Sequence, residues 1–226
     1  NWTIPQVISS TTRVRVSDTS DSSVYSISPV DFKMVGIVAV TLPTGSSSWE
    51  VGLPQNINWT KTGPIANVNF DYSKNNGSTW ANIVSGVSGN TFSWTPGNDD
   101  VSTVARIRVS DALDATVYDI SPAFHTKARF TVTAPAAGNV WPVNSAQTIT
   151  WSTIGTVSTV ALDYSKDNGT TWVNIAPSVS NSGSYAWTVP NAISTTCFVR
   201  VSDFNDSAAF GLSGVFKIRG DIALIQ

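Results

Sequence analysis

A chain of 226 residues, 12% of them charged, with a formal net charge of −2, is long enough for one or two domains with proper cores. It carries no electrostatic surplus for nucleic acid or an anionic membrane. Its single cysteine, Cys197, excludes an internal disulfide and a zinc cage of cysteines.

No run of about eighteen apolar residues occurs, and the opening NWTIPQVISS lacks a basic region and an apolar segment, so the sequence predicts neither a membrane span nor a signal peptide. The hydrophobic period is two. Arg13-Val14-Arg15-Val16 alternates first, and further runs near 37–41, 55–60, 66–73, 79–84, 90–94, 103–110 and 117–126 are separated by Gly, Pro, Asn and Ser. These predict half-buried strands, and no helical pattern competes with them. Val160-Ala161-Leu162-Asp163-Tyr164 repeats the alternation of Val68-Asn69-Phe70-Asp71-Tyr72.

That repetition runs through the chain. Trp49, Trp59 and Trp80 recur 92 residues later as Trp141, Trp151 and Trp172, and Trp94 recurs as Trp187 at 93, which places a one-residue length change in a loop between them. The tetrapeptide R-V-S-D occurs three times, at Arg15–Asp18, Arg108–Asp111 and Arg200–Asp203. Residues 1–36 therefore align with the last third of a repeat, 37–128 and 129–220 are complete repeats, and 221–226 align with the start of a further one. A segment of a longer array is expected, with joints at Thr126–Phe130 and Arg219–Asp221 too short for much freedom. A unit of about 92 residues with roughly seven short strands fits an immunoglobulin-like sandwich, so the expected fold class is all-β, tandem immunoglobulin-like β-sandwiches. All nine Trp fall at repeat positions and are expected to form the core that a disulfide would otherwise brace.

The segment YSKDNGTTW, Tyr164–Trp172, fits S-x-D-x-G-x-T-W and resembles the Asp-box of sialidases and other secreted glycosidases. Its sister YSKNNGSTW, Tyr72–Trp80, has Asn75 where the acid Asp167 stands. Loss of the carboxylate within an unchanged pattern predicts a structural hairpin, because Asn, Asp and Gly tolerate positive φ. Other candidate sites read the same way. His125 aligns with Lys33 and Lys217, an exposed strand-end position. Cys197 aligns with Ala105 and Thr12, small packing residues with no activating histidine. Asp99 and Asp100 form an adjacent pair without a counterpart in the next repeat and are expected to be solvated. The pairs Asp18/Asp21, Asp111/Asp114 and Asp203/Asp206 recur in all copies. They offer Ca²⁺ two carboxylates where six to eight oxygens are needed, or accept backbone N–H bonds as Asx turns. Trp49 and Trp141, beside loops, are the best candidates for a sugar-stacking platform, against which repetition favours core packing.

The order G-x-V-W, T-I-T-W, D-Y-S-x-D-N-G-T-T-W-x-N-I, G-S-Y-x-W-T-V-P and R-V-S-D over residues 138–203 resembles the Ig-like domain shared by yeast KNH-like cell-wall proteins and Ser-Thr-rich GPI-anchored membrane proteins, a repeat also strung along large bacterial surface and secreted proteins. The middle copy departs at Ser46–Ser48 and at Pro96-Gly97-Asn98. The resemblance implies a modular extracellular or cell-surface segment. The expected function is a non-catalytic structural part of a large multi-Ig protein, such as a stalk, adhesin extender or filament component, with no catalytic, cofactor-binding or metal residue assigned. Its partners are neighbouring repeats of the same chain, further copies or other surface proteins, and a glycan, without nucleic acid or membrane insertion. The alternative is a carbohydrate-binding or spacer module of a secreted glycan-active enzyme.

Overall fold

The computed structural model describes residues 1–220; the expected start of a further repeat at 221–226 lies outside the described residues. The first 36 residues contribute β1 (Ser9–Thr12), β2 (Arg15–Ser17), β3 (Tyr25–Ile27) and β4 (Phe32–Met34). The next repeat holds β5 (Ile37–Leu42), β6 (Ser48–Glu50), β7 (Gln55–Thr62), β8 (Val68–Ser73), β9 (Ala81–Val87), β10 (Thr91–Trp94), β11 (Ser102–Asp111), β12 (Tyr118–Ile120) and β13 (Phe124–Lys127). The last holds β14 (Arg129–Ala134), β15 (Val140–Pro142), β16 (Ala146–Ile154), β17 (Thr159–Ser165), β18 (Val173–Ser180), β19 (Ser184–Thr188), β20 (Ser194–Asp203), β21 (Phe210–Leu212) and β22 (Phe216–Arg219). A single 3-10 turn, Asn98–Asp100, is the only helical element among the described residues.

Each complete repeat is a two-sheet sandwich with the same strand order. A three-stranded sheet, β10-β7-β5 or β14-β16-β19, faces a larger one, β6-β13-β11-β8-β9 or β15-β22-β20-β17-β18, with β12 or β21 paired to the long strand β11 or β20. Within the larger sheet the short strands β6 and β15 run parallel to β13 and β22, whereas the other registered pairs are antiparallel. The chain leaves the small sheet for this parallel edge through cis peptides at Leu42-Pro43 and Ala134-Pro135, one in each copy. These are immunoglobulin-like sandwiches.

By packing, the chain divides into two compact units: Asn1–Ser47 with Gln55–Trp94 and Val104–Phe124, and Ser48–Pro54 with Thr95–Thr103 and His125 onward. In the first, Trp59 meets Phe70 edge-on at 4.9 Å between centroids and Phe92 stacks on Phe70 at 5.4 Å. In the second, Trp141 packs on Phe216 at 5.1 Å and on Trp187 at 5.9 Å. Fully buried Ile57, Val68, Ile107, Ile149, Leu162 and Val201 complete the inward rows, each contributing about 1.5–3 kcal/mol of transfer free energy.

The strands depart from the sequence reading at three places. β6 and β15, three residues each, are too short to show alternation in the sequence. The run at 117–126 is two strands, β12 and β13, which pair with β11 one after the other and are separated at Ser121-Pro122. The expected strand at 79–84 begins at Ala81 and runs on to Val87. The tryptophan core is also smaller than expected. Trp49, Trp59, Trp141, Trp151 and Trp187 are buried, but Trp80 and Trp172 are half-buried on the outer sheet face and Trp2 is exposed.

Candidate functional site

The Asp-box-like segment is a hairpin between β17 and β18. Asn168 and Gly169 take positive φ of 58° and 83° at its tip, as Asn76 and Gly77 do at 58° and 90° in the sister copy. Ser165 Oγ donates to Asp167 Oδ1 at 2.8 Å and accepts from the Gly169 N–H at 2.8 Å; Asp167 Oδ1 also accepts from the Thr171 N–H at 2.8 Å, and Oδ2 from the Thr171 hydroxyl. In the sister hairpin Ser73 and Asn75 make the same bonds. There the Asn75 amide donates to Thr79 Oγ1 at 2.8 Å, so the direction of one bond is reversed while the turn is kept. The Thr171 hydroxyl, then its N–H and the Ser165 hydroxyl, hold the Asp167 carboxyl down at about 2. Three acceptor positions of the carboxylate, two on Oδ1 and one on Oδ2, are spent on the turn.

Beside each hairpin lies a stack that sequence reasoning missed. Arg200 reaches from β20 across to β17, where Nη2 bonds Asp163 Oδ2 at 2.9 Å, and its guanidinium covers the Trp172 ring. Arg108, Asp71 and Trp80 repeat the arrangement. The signal was present in the sequence: the Arg of R-V-S-D, the Asp of D-Y-S and the hairpin Trp recur together at the repeat offset. With Asn82 and Asn174 amides on the same carboxylates, the stack braces an outer sheet face.

The recurring acid pairs are Asx turns in all three copies. Asp18, Asp111 and Asp203 accept through Oδ1 the N–H two residues on, at 2.7, 2.9 and 2.8 Å. Asp21, Asp114 and Asp206 do the same at 3.0, 3.1 and 3.1 Å. The loops close with matching backbone bonds, Val24 N–H to Asp21, Val117 N–H to Asp114 and Ala209 N–H to Asp206. The electrostatics differ from copy to copy. The Thr116 hydroxyl, followed by Lys33 at 3.1 Å, lowers Asp114 to about 2. Burial, with Asp206 adding to it, raises Asp203. Among the described residues no three His, Cys, Asp or Glu side chains group to hold a metal ion.

Asp99 and Asp100 are not simply solvated. Asp100 Oδ2 accepts the Gly97 N–H at 2.7 Å, capping the 3-10 turn, and Asp99 Oδ1 accepts the Thr156 hydroxyl at 2.6 Å. His125 sits half-buried inside β13 rather than exposed at a strand end. Cys197 is fully buried, its thiol raised by burial, and packs where Ala105 packs in the other copy. Trp49 and Trp141 are 5% and 7% exposed, so neither presents a ring face for sugar stacking.

The one-residue length change is also located. Ser88-Gly89-Asn90 closes onto β7 where Ser180-Asn181-Ser182-Gly183 closes onto β16: Asn90 and Gly183 accept the backbone N–H of Trp59 and Trp151. In the longer loop Asn181 Oδ1 accepts from Trp151 Nε1 at 2.7 Å. Trp59 Nε1 is buried without a partner.

Residues 134–218 match the Kre9/KNH-like N-terminal Ig-like domain. The match lies within the last complete repeat, 129–220. No curated protein matches the chain. Among solved structures, the fibronectin(III)-like modules of Clostridium thermocellum CbhA are 18% identical, with 84% of this chain and 100% of that chain covered at a TM-score of 0.30. Three N-terminal domains of the bacteriophage RB49 highly immunogenic outer capsid protein are 12% identical over 93% and 78%, at 0.33. The four N-terminal Ig domains of Dscam1 isoform 6.9 are 10% identical over 88% and 52%, at 0.35. Among the described residues no helix is long and apolar enough to cross a membrane.

Proposed function

We propose that this chain is a non-catalytic structural segment of an extracellular, multi-domain surface protein, in which tandem sandwiches act as a stalk, extender or filament component. The observation that carries the reading is the repetition of three polar constellations as supports for the backbone. The hairpin acid, the Arg stack and the Asx loops recur at the repeat offset with the same hydrogen bonds, and the one acid that resembles a glycosidase signature is replaced by Asn75 with its turn intact. Chemistry would require an acid, base or nucleophile freed from such bonds. The Kre9/KNH-like match of residues 134–218 supports a cell-wall or surface setting. Neighbouring repeats, further copies and other surface proteins are the partners the reading expects.

Antibodies against the chain test it. Labelling of intact cells is the expected outcome, and labelling confined to lysed cells would overturn the surface assignment. Saturable binding to a defined glycan would instead favour the carbohydrate-binding alternative.

A further inference from the structure

Residues 9–34 pair with the register of the complete copies yet lack their cover. Arg15 stands opposite Ile27 and Ser17 opposite Tyr25, as Arg200 stands opposite Leu212 and Ser202 opposite Phe210. Ser28 Oγ accepts the Val14 N–H at 3.2 Å where Ser213 Oγ accepts the Val199 N–H at 2.9 Å. Burial separates them. Val14, Val16 and Val24 are 43%, 71% and 59% exposed, whereas their counterparts Val199, Val201 and Ala209 are 0%. Those counterparts share one core with Phe130, Ile149, Leu162 and Trp187, which come from β14, β16, β17 and β19.

A second observation agrees. A cavity of about 230 Å³ is lined by Ile8, Val35, Gly63 and Pro64 among others. One repeat later, at the corresponding place, Gly155 is boxed in by Val51, Val101 and Ala128. Ile8 corresponds to Val101 and Gly63 to Gly155. The counterpart of Val51 falls among the strands that residues 1–36 do not contain. An uncovered apolar face of this extent is a binding surface or an aggregation hazard.

We propose that residues 9–34 are the acceptor half of a third sandwich, and that their occupant is a polypeptide with the strand pattern of β5 to β10, the first two thirds of a further copy of this repeat. The last complete copy supplies the template: there residues of β14, β16, β17 and β19 cover the corresponding apolar row. The recognition is apolar, with the buried Trp and Phe of the donated strands meeting Val14, Val16 and Val24. It requires no assignment of a surface role.

The test compares the 226-residue chain with two chimeras, one placing residues 129–185 directly ahead of Asn1 and the other residues 37–92. Amide exchange of Val14 and Val16 is followed by NMR, with Val109 and Val201 as internal references. We expect exchange slowed on the order of a hundredfold in at least one chimera, with a third sandwich's worth of protected amides. Unchanged exchange in both chimeras would overturn the proposal. So would light scattering that finds the 226-residue chain dimeric with residues 9–34 already protected and β5 to β10 unaltered in exchange, since the same residues 9–34 of a second copy would then be the occupant.

Discussion

The guanidinium carbon of Arg200 lies 4.4 Å from the centroid of the Trp172 ring, and one repeat earlier Arg108 lies 4.8 Å from that of Trp80. Each Arg is fixed in that position by two donors, Nε and Nη2, on one carboxylate oxygen of Asp163 or Asp71. The pair explains why two of the tryptophans are repeated without being core residues. They are the floor of an outer brace that links β17 or β8, the neighbouring long strand and the hairpin.

Removing the brace should be measurable. Arg200→Ala is expected to destabilise by about 1–2 kcal/mol, the sum of a half-exposed stack and charge-assisted bonds. Arg200→Lys should recover less than half of that, because an ammonium provides neither the planar stack nor the two-donor fork. Urea denaturation of both variants checks this.

The hairpin acid predicts a pH dependence confined to one copy. Asp167 is held near 2 in the fold against 3.8 for an unconstrained aspartate, so the native state binds fewer protons than the unfolded chain between those values. Its contribution is complete above about pH 4 and is lost as pH falls from about 4 to about 2. Carboxyl NMR should give a midpoint near 2, and Asp167→Asn should leave the hairpin intact, as Asn75 does, with that titration gone.

Asp203 has the opposite sign. Burial raises its folded value above 3.8, so its contribution falls as pH rises through the interval between the two. Asp203→Asn keeps an acceptor for the Asn205 N–H and removes a buried charge. The melting temperature at pH 7 should be equal or higher, and indifferent to Ca²⁺ or chelator in both proteins. A chelator-dependent drop in the unaltered chain would mean the acids hold a cation.

Asn181→Ala should cost about 1–3 kcal/mol, since it leaves Trp151 Nε1 buried and unpaired. Replacing Ser88-Gly89-Asn90 with Ser-Asn-Ser-Gly should stabilise the preceding sandwich by about 1 kcal/mol by giving Trp59 Nε1 the acceptor it lacks. Thermal unfolding of each variant reads both effects.

The copies and the alternating strands were legible in the sequence because each sandwich buries one face, and a period of two is the direct imprint of that burial. The hairpin role of Asp167 was legible for a different reason: Asn75 preserves geometry while deleting charge. What escaped was whatever rests on neighbours distant in sequence. β6 and β15 exist because of parallel pairing with the last strand. Asp99 finds Thr156 far along the chain, and Trp80 and Trp172 lie outside because an Arg from another strand covers them. A tryptophan repeated at a fixed offset says that its surroundings are copied, but not whether those surroundings are the core or an outer face.

Single-molecule force spectroscopy of the chain, tethered at its termini, addresses the structural role most directly. Two separate unfolding events are predicted, each releasing a contour length of roughly 300 Å, the extended span of one repeat at about 3.3 Å per residue. A single cooperative event, or extension without force peaks, would contradict a role built on independently folded, load-bearing sandwiches.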